Sequence, residues 1–78
     1  MTWNYRVIRS EQDGWIDYAI HEVYYGPRGD IDCWSVDSCP AHGETLAELS
    51  DDLDRMRRAL DKPILEEHNG KLLEGGAG

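Results

Sequence analysis

Apolar and polar residues alternate through the first third of the chain and then change period. In WNYRVIR, residues 3–9, Trp3, Tyr5 and Val7 fall on one side of an extended strand and Asn4, Arg6 and Ile8 on the other. SEQDG, residues 10–14, reads as a polar hairpin loop with Gly14 where left-handed backbone is needed. WIDYAIHEVYY, residues 15–25, is rich in aromatic and β-branched types and predicts a second strand, with Ile16, Tyr18 and Ile20 on one face and Trp15, Ala19 and Val23 on the other. Gly26-Pro27-Arg28-Gly29 is a turn in which Pro presets φ and Gly accepts a positive value. DIDCWSV, residues 30–36, predicts a third strand, with Ile31 and Cys33 facing one way and Trp34 and Val36 the other.

After the loop SCPAHG the period becomes helical. Leu46, Leu49, Leu53, Met56 and Leu60 recur at alternating spacings of three and four, which predicts an amphipathic helix over about 45–61. Thr45 followed by Glu48 is a capping-box pattern, acids crowd the first turns, and Arg55, Arg57, Arg58 and Lys62 crowd the last, matching the helix dipole. Asp51 with Arg55 and Asp54 with Arg58 stand at i,i+4 spacing for ion pairs, and Pro63 ends the helix. Leu53, flanked by Leu49 and Met56, is expected at the centre of the core.

These elements predict an α+β fold, a three-stranded antiparallel sheet with one helix packed on one face in the order β-β-β-α. Residues 1–65 are expected to form one domain and residues 66–78 a flexible tail, with Leu72 and Leu73 leaving room for a short extra strand or helical turn. All seven aromatic residues lie within the first thirty-four positions and none is Phe. One helix covers one face of such a sheet, so the other becomes an aromatic surface in need of a second copy or another protein. Trp3, Trp15, Tyr24, Tyr25 and Trp34 are the candidate interaction face, because Trp and Tyr suit apolar surfaces that are wet at the edge.

Charge narrows the partners. The 78 residues carry sixteen acids against eight Lys and Arg, a formal net of −8, and residues 11–54 hold twelve acids with Arg28 as the single base, a local net of −11. Nucleic acid and anionic membrane are disfavoured, because phosphate binding needs clustered cations. No apolar run approaches a membrane span and the N-terminus lacks the layout of a signal peptide, so a cytoplasmic location is expected, with Cys33 and Cys39 as thiols. A core this small is marginal by itself, which favours oligomerisation.

No catalytic motif is present, neither a phosphate-cradling glycine loop nor a paired-carboxylate pattern. The expectation is a protein without enzymatic activity or cofactor. Cys33, Cys39 and His42 lie close in sequence and, with His21 or an Asp, form a candidate metal or thiol site, although the spacing of the two cysteines is wider than a zinc knuckle.

At the loop-to-helix junction HGETLAELSDDLDRM, following the three predicted strands, resembles HicB-like antitoxin domains, with Gly43, Glu44, Thr45, Leu46 and Glu48 as the matching residues. That resemblance implies a short antiparallel sheet running into a capped helix. It departs from the family at Ser38 to Gly43, where the family carries a Pro-x-x-Pro-Gly turn, and no DNA-binding segment follows the helix. The chain is also similar to short uncharacterised bacterial proteins sharing NYRV, IHEVYY, GETL and ALDKP segments. The expected function is a small acidic protein–protein interaction module acting on a protein partner or through self-association. The alternatives are a nucleic-acid-mimicking inhibitor and a small metal- or thiol-binding protein.

Overall fold

The structure, a computed structural model, describes residues 2–75. Strands β1 (Thr2–Gln12), β2 (Trp15–Tyr25) and β3 (Ile31–Trp34) precede helix α1 (Leu46–Arg58), whose end tightens into a 3-10 turn at Ala59–Asp61. Strands β4 (Leu65–His68) and β5 (Lys71–Glu74) follow. All five join one sheet in the order β3-β2-β1-β4-β5. Every pairing is antiparallel except that of β1 with β4, where Ile8 lies opposite Leu65 and Arg9 opposite Glu66 in parallel register.

The expected three-stranded antiparallel sheet is therefore corrected to a five-stranded mixed sheet, curled until it is nearly barrel-shaped. Apart from Leu65, the additional strands come from the stretch 66–78 expected to form a tail; Gly76 to Gly78 of that stretch lie outside the described residues. A hairpin signal is present there, because Asn69 and Gly70 both take positive φ, 53° and 79°, as a two-residue turn of the primed type demands. Its strands are four residues each, and of their side chains only Leu65 and Leu72 are buried, too few for a period to show. The same turn geometry at Asp13 and Gly14 (φ 54° and 84°) shrinks the expected loop of residues 10–14 to two residues, so β1 and β2 pair continuously from Thr2–Tyr25 to Gln12–Trp15.

Strand β3 breaks its expected alternation. Tyr24 lies opposite Cys33 but Tyr25 opposite Ile31, which leaves Asp32 as the extra residue of a bulge and turns Ile31 and Trp34 to the same face. Val36, expected on that strand, lies beyond it and is 92% exposed.

The sheet buries both of its faces, and the larger core is on the side away from the helix. Register pairs share a face, so Ile8, Val23, Leu65 and Leu72 lie together opposite the face of Tyr5 and Val7. Tyr25, Ile31 and Trp34 pack against this cluster. Edge strands β3 and β5 line one cleft, so the curl of the sheet brings them near each other and closes the face without a second layer. On the same face Arg6 is buried, its Nη2 donating to the carbonyl of Pro63 at 2.7 Å and its Nη1 to Tyr25 Oη at 3.0 Å. The helix covers the other face, where Val7, Met56 and Ala59 are buried.

The helix starts as expected. Thr45 is the N-cap, its Oγ1 accepting the Glu48 N–H at 3.1 Å. Gly43 lies so close to the first turn that a Cβ there would stand 2.7 Å from Glu48 C and 2.8 Å from Leu49 Cα. The ion pairs expected at Asp51–Arg55 and Asp54–Arg58 are not formed; those present among the described residues join Arg9 to Glu11 and Glu66, and His68 to Glu66. The buried line of the helix is also rotated from the apolar stripe, with Asp52, Met56 and Ala59 facing inward while Leu53 is 51% exposed.

This assignment reverses the expected weight of Leu53. Leu65→Ala should cost about 2–5 kcal/mol through lost transfer energy and a residual cavity. Leu53→Ala should stay within about 0.5 kcal/mol, as at an ordinary surface position. Urea titration of both variants checks the ordering, and a Leu53→Ala loss equal to that of Leu65→Ala would contradict the placement of the core.

Candidate interaction surfaces

The five aromatic residues expected to form one face are divided among three places. Trp3 and Tyr24 lie on the helix-side face, next to Tyr5: the Trp3 and Tyr5 rings meet edge-on at 5.2 Å, and Trp3 stands 6.5 Å from Tyr24. Tyr25 and Trp34 lie on the opposite face against the core cluster. There the Tyr25 hydroxyl donates to Asn4 Oδ1 at 2.8 Å. Trp15 is 80% exposed beside the β1–β2 turn. The surface is divided because the β1–β2 register fixes side and the curl of the sheet consumes one side as core.

What the fold leaves uncovered instead is a line of leucines on α1 and the turn that follows it. Leu46, Leu53 and Leu60 are 85%, 51% and 63% exposed, and their spacing of seven places them along one edge of the helix. Their neighbours on the stripe, Leu49 and Met56, are half-buried and buried, so the line borders the contact with the sheet. Sequence periodicity found these residues but assigned them to the core.

The rotation of the helix has a polar cause. Asp52, which lies off the apolar stripe, is buried and accepts a hydrogen bond from Tyr5 Oη at 2.7 Å and from the His42 backbone N–H at 2.9 Å. These bonds hold its carboxyl below the ordinary 3.8, the Tyr5 hydroxyl contributing most and the His42 N–H next. Burial, followed by the same hydrogen bond, pushes Tyr5 from 10.0 to about 12. One carboxylate thus joins the central strand, the loop and the helix.

The candidate metal or thiol residues are each engaged differently. Cys33 is exposed on β3. Cys39 is half-buried, its Sγ donating to Glu22 Oε2 at 3.6 Å and lying 3.7 Å from Ser35 Oγ. His42 contributes its backbone to Asp52, whereas His21 is buried with Nδ1 2.9 Å from the Ser35 carbonyl oxygen. No group of three His, Cys, Asp or Glu side chains able to hold a metal ion occurs among the described residues. Ser35, which no motif marks, is the hub of this polar cluster: its Oγ accepts the Glu22 N–H at 3.2 Å and donates to the Asp37 carbonyl at 3.0 Å. The backbone N–H groups of Ser35 and Cys39 donate to Glu22 and Ile20, prolonging the edge of β2 beyond β3.

A scan against protein-family models, a search of curated proteins and a search of solved structures return no match. None of the described helices is long and apolar enough to cross a membrane.

The Asp52–Tyr5 pair predicts the pH dependence of stability. Asp52 has a depressed value in the fold, so its contribution is present above the ordinary 3.8 and is lost as pH falls through the folded value. Tyr5 has a raised value, so its contribution is complete below 10.0 and is lost as pH rises through about 12. Denaturant midpoints measured across both ranges should show an acid limb that is flatter in Asp52→Asn and an alkaline limb that is flatter in Tyr5→Phe. Unchanged limbs in both variants would contradict the coupling.

Proposed function

We propose that the chain is a small acidic protein–protein interaction module that associates with a second copy of itself along α1. The observation that carries this reading is the line Leu46, Leu53 and Leu60, apolar at heptad spacing and exposed together along one edge of the helix, whereas the exposed aliphatics Ile16, Val36 and Leu73 stand apart on β2, the loop after β3 and β5. Charge selects the orientation through the net field of each half of the helix, since of its four bases Arg57 borders the leucine line and Arg55, Arg58 and Lys62 lie on another flank. Residues 44–54 hold five acids and no base, whereas residues 55–62 hold four bases and Asp61. Two copies laid antiparallel about Leu53 set the acidic half of each helix beside the basic half of the other, while a parallel pair sets like against like.

Three leucines and their flanks cover much less than the roughly 800 Å² per partner of a standard stable interface, which puts the association at the weak, concentration-dependent end. The HicB-like resemblance at the helix start fits the same reading of a domain that works by holding a protein. The acids elsewhere are spread over the hairpin tip, the bulged strand and the helix, with Asp52 turned inward, which supports a solubilising surface over an ordered row of phosphate mimics.

Sedimentation at about 100 μM should show a dimer that dissociates on dilution, and Leu53→Asp should remain monomeric while unfolding as cooperatively as the parent. Orientation is read by disulfide trapping in a Cys33→Ser, Cys39→Ser background: Leu46→Cys should cross-link to Leu60→Cys in a mixture and not to itself. A chain that stays monomeric at that concentration, with Leu53→Asp indistinguishable from it, would remove the proposal.

A further inference from the structure

Three of the eight cations of this acidic chain share one concavity. Arg55 and Arg58 on α1 and Lys62 just past the 3-10 turn line a groove of about 230 Å³ whose other wall is Trp3, Asn4 and Tyr5 of β1. None of the three makes an ion pair among the described residues, although the chain has sixteen acids with which to neutralise them. Asp52, the carboxylate bonded to the groove wall, is occupied by the Tyr5 hydroxyl and the His42 N–H. Complementing the helix dipole explains why cations stand in the last turns. It does not explain why three of them, at spacings of three and four, share a concave site with a half-exposed tryptophan.

We propose that this groove binds a small phosphorylated ligand bearing a flat ring, of the mononucleotide class. Two guanidinium forks and an ammonium supply planar, charge-assisted donors for phosphate oxygens. Trp3 is 45% exposed and its ring is fixed edge-on by Tyr5, which makes it a ready stacking surface; base–aromatic stacking contributes about 1–3 kcal/mol. The groove is smaller than the roughly 300–1,000 Å³ of enclosed ligand sites, so it takes one phosphate and one ring with the remainder in solvent. A nucleic-acid strand is a poor occupant, because a strand needs a basic track and residues 11–54 carry a net of −11. Arg55, Arg58 and Lys62 lie on a different flank of the helix from Leu46, Leu53 and Leu60, so the site is independent of self-association.

The test is calorimetric titration of the full chain at low ionic strength with adenosine 5′-monophosphate, inorganic phosphate and a hexaglutamate peptide in separate arms. It is repeated in the Leu53→Asp background. The nucleotide should bind with a Kd of about 0.1–1 mM and more tightly than phosphate or the peptide. Arg55→Gln and Arg58→Gln, exposed substitutions whose folding circular dichroism verifies, should each weaken nucleotide binding about tenfold. Trp3→Ala should weaken the nucleotide by about tenfold and leave phosphate binding unchanged. The proposal is overturned if the nucleotide does not bind at about 10 mM, or if neither arginine substitution weakens it. It is equally overturned if phosphate alone or the peptide binds as tightly as the nucleotide.

Discussion

The buried guanidinium of Arg6 ties the central strand to the chain returning from the helix. A charge taken out of water is costly unless it is hydrogen-bonded, and among the described residues Arg6 has no ion-pair partner and its Nε no hydrogen-bond partner. Its bonds to the Pro63 carbonyl and the Tyr25 hydroxyl, each of the charge-assisted kind worth about 1.5–3 kcal/mol, are what make the position tolerable. Pro63 stands two residues before β4, so the bond that solvates Arg6 also fixes where β4 enters the sheet. A parallel strand cannot be placed by a tight turn, and this one has four residues. The Arg9–Glu66 ion pair and the Ile8–Leu65 pairing follow from that placement.

Once β4 and β5 are in place, the sheet is wide enough to curl on itself, and the bulge at Asp32 points both Ile31 and Trp34 into the closure. A chain of this length buries a limited fraction of its surface. The curl lets it make a core on each face with a single helix, one built from β-strand aliphatics and one from Val7, Met56 and Ala59. The helix is then no longer required to cover the whole sheet. It can turn Asp52 toward Tyr5 and His42, and the same rotation moves Leu46, Leu53 and Leu60 to the surface. The exposed leucines and the buried carboxylate are therefore two results of one geometric choice.

The separation of charge along α1 serves two different surfaces. Through the overall field of the helix it makes the two ends complementary to each other in an antiparallel pair. On the flank toward β1 it concentrates Arg55, Arg58 and Lys62 beside Trp3. Neither surface contains the cysteines, and the polar cluster around Ser35 instead prolongs β2 and holds the loop that leads to the helix.

Local sequence determined what depends on neighbours in the chain. The β1–β2 hairpin, the turn at Gly26–Gly29, the Thr45 cap and the helix through Asp61 were all legible, because period, turn residues and capping act over a few positions. The Asn69-Gly70 hairpin was legible in principle and was hidden by the shortness of its strands. Tertiary structure decided the rest. Nothing within Thr45–Lys62 distinguishes an Asp52 that faces Tyr5, forty-seven residues away, from one that faces water, so the buried side of the helix could not be read from its hydrophobic stripe. For the same reason Tyr25 and Trp34 became core while Trp3 stayed half-exposed: strand alternation says which residues share a face, and only the curl of the completed sheet says which face is inside.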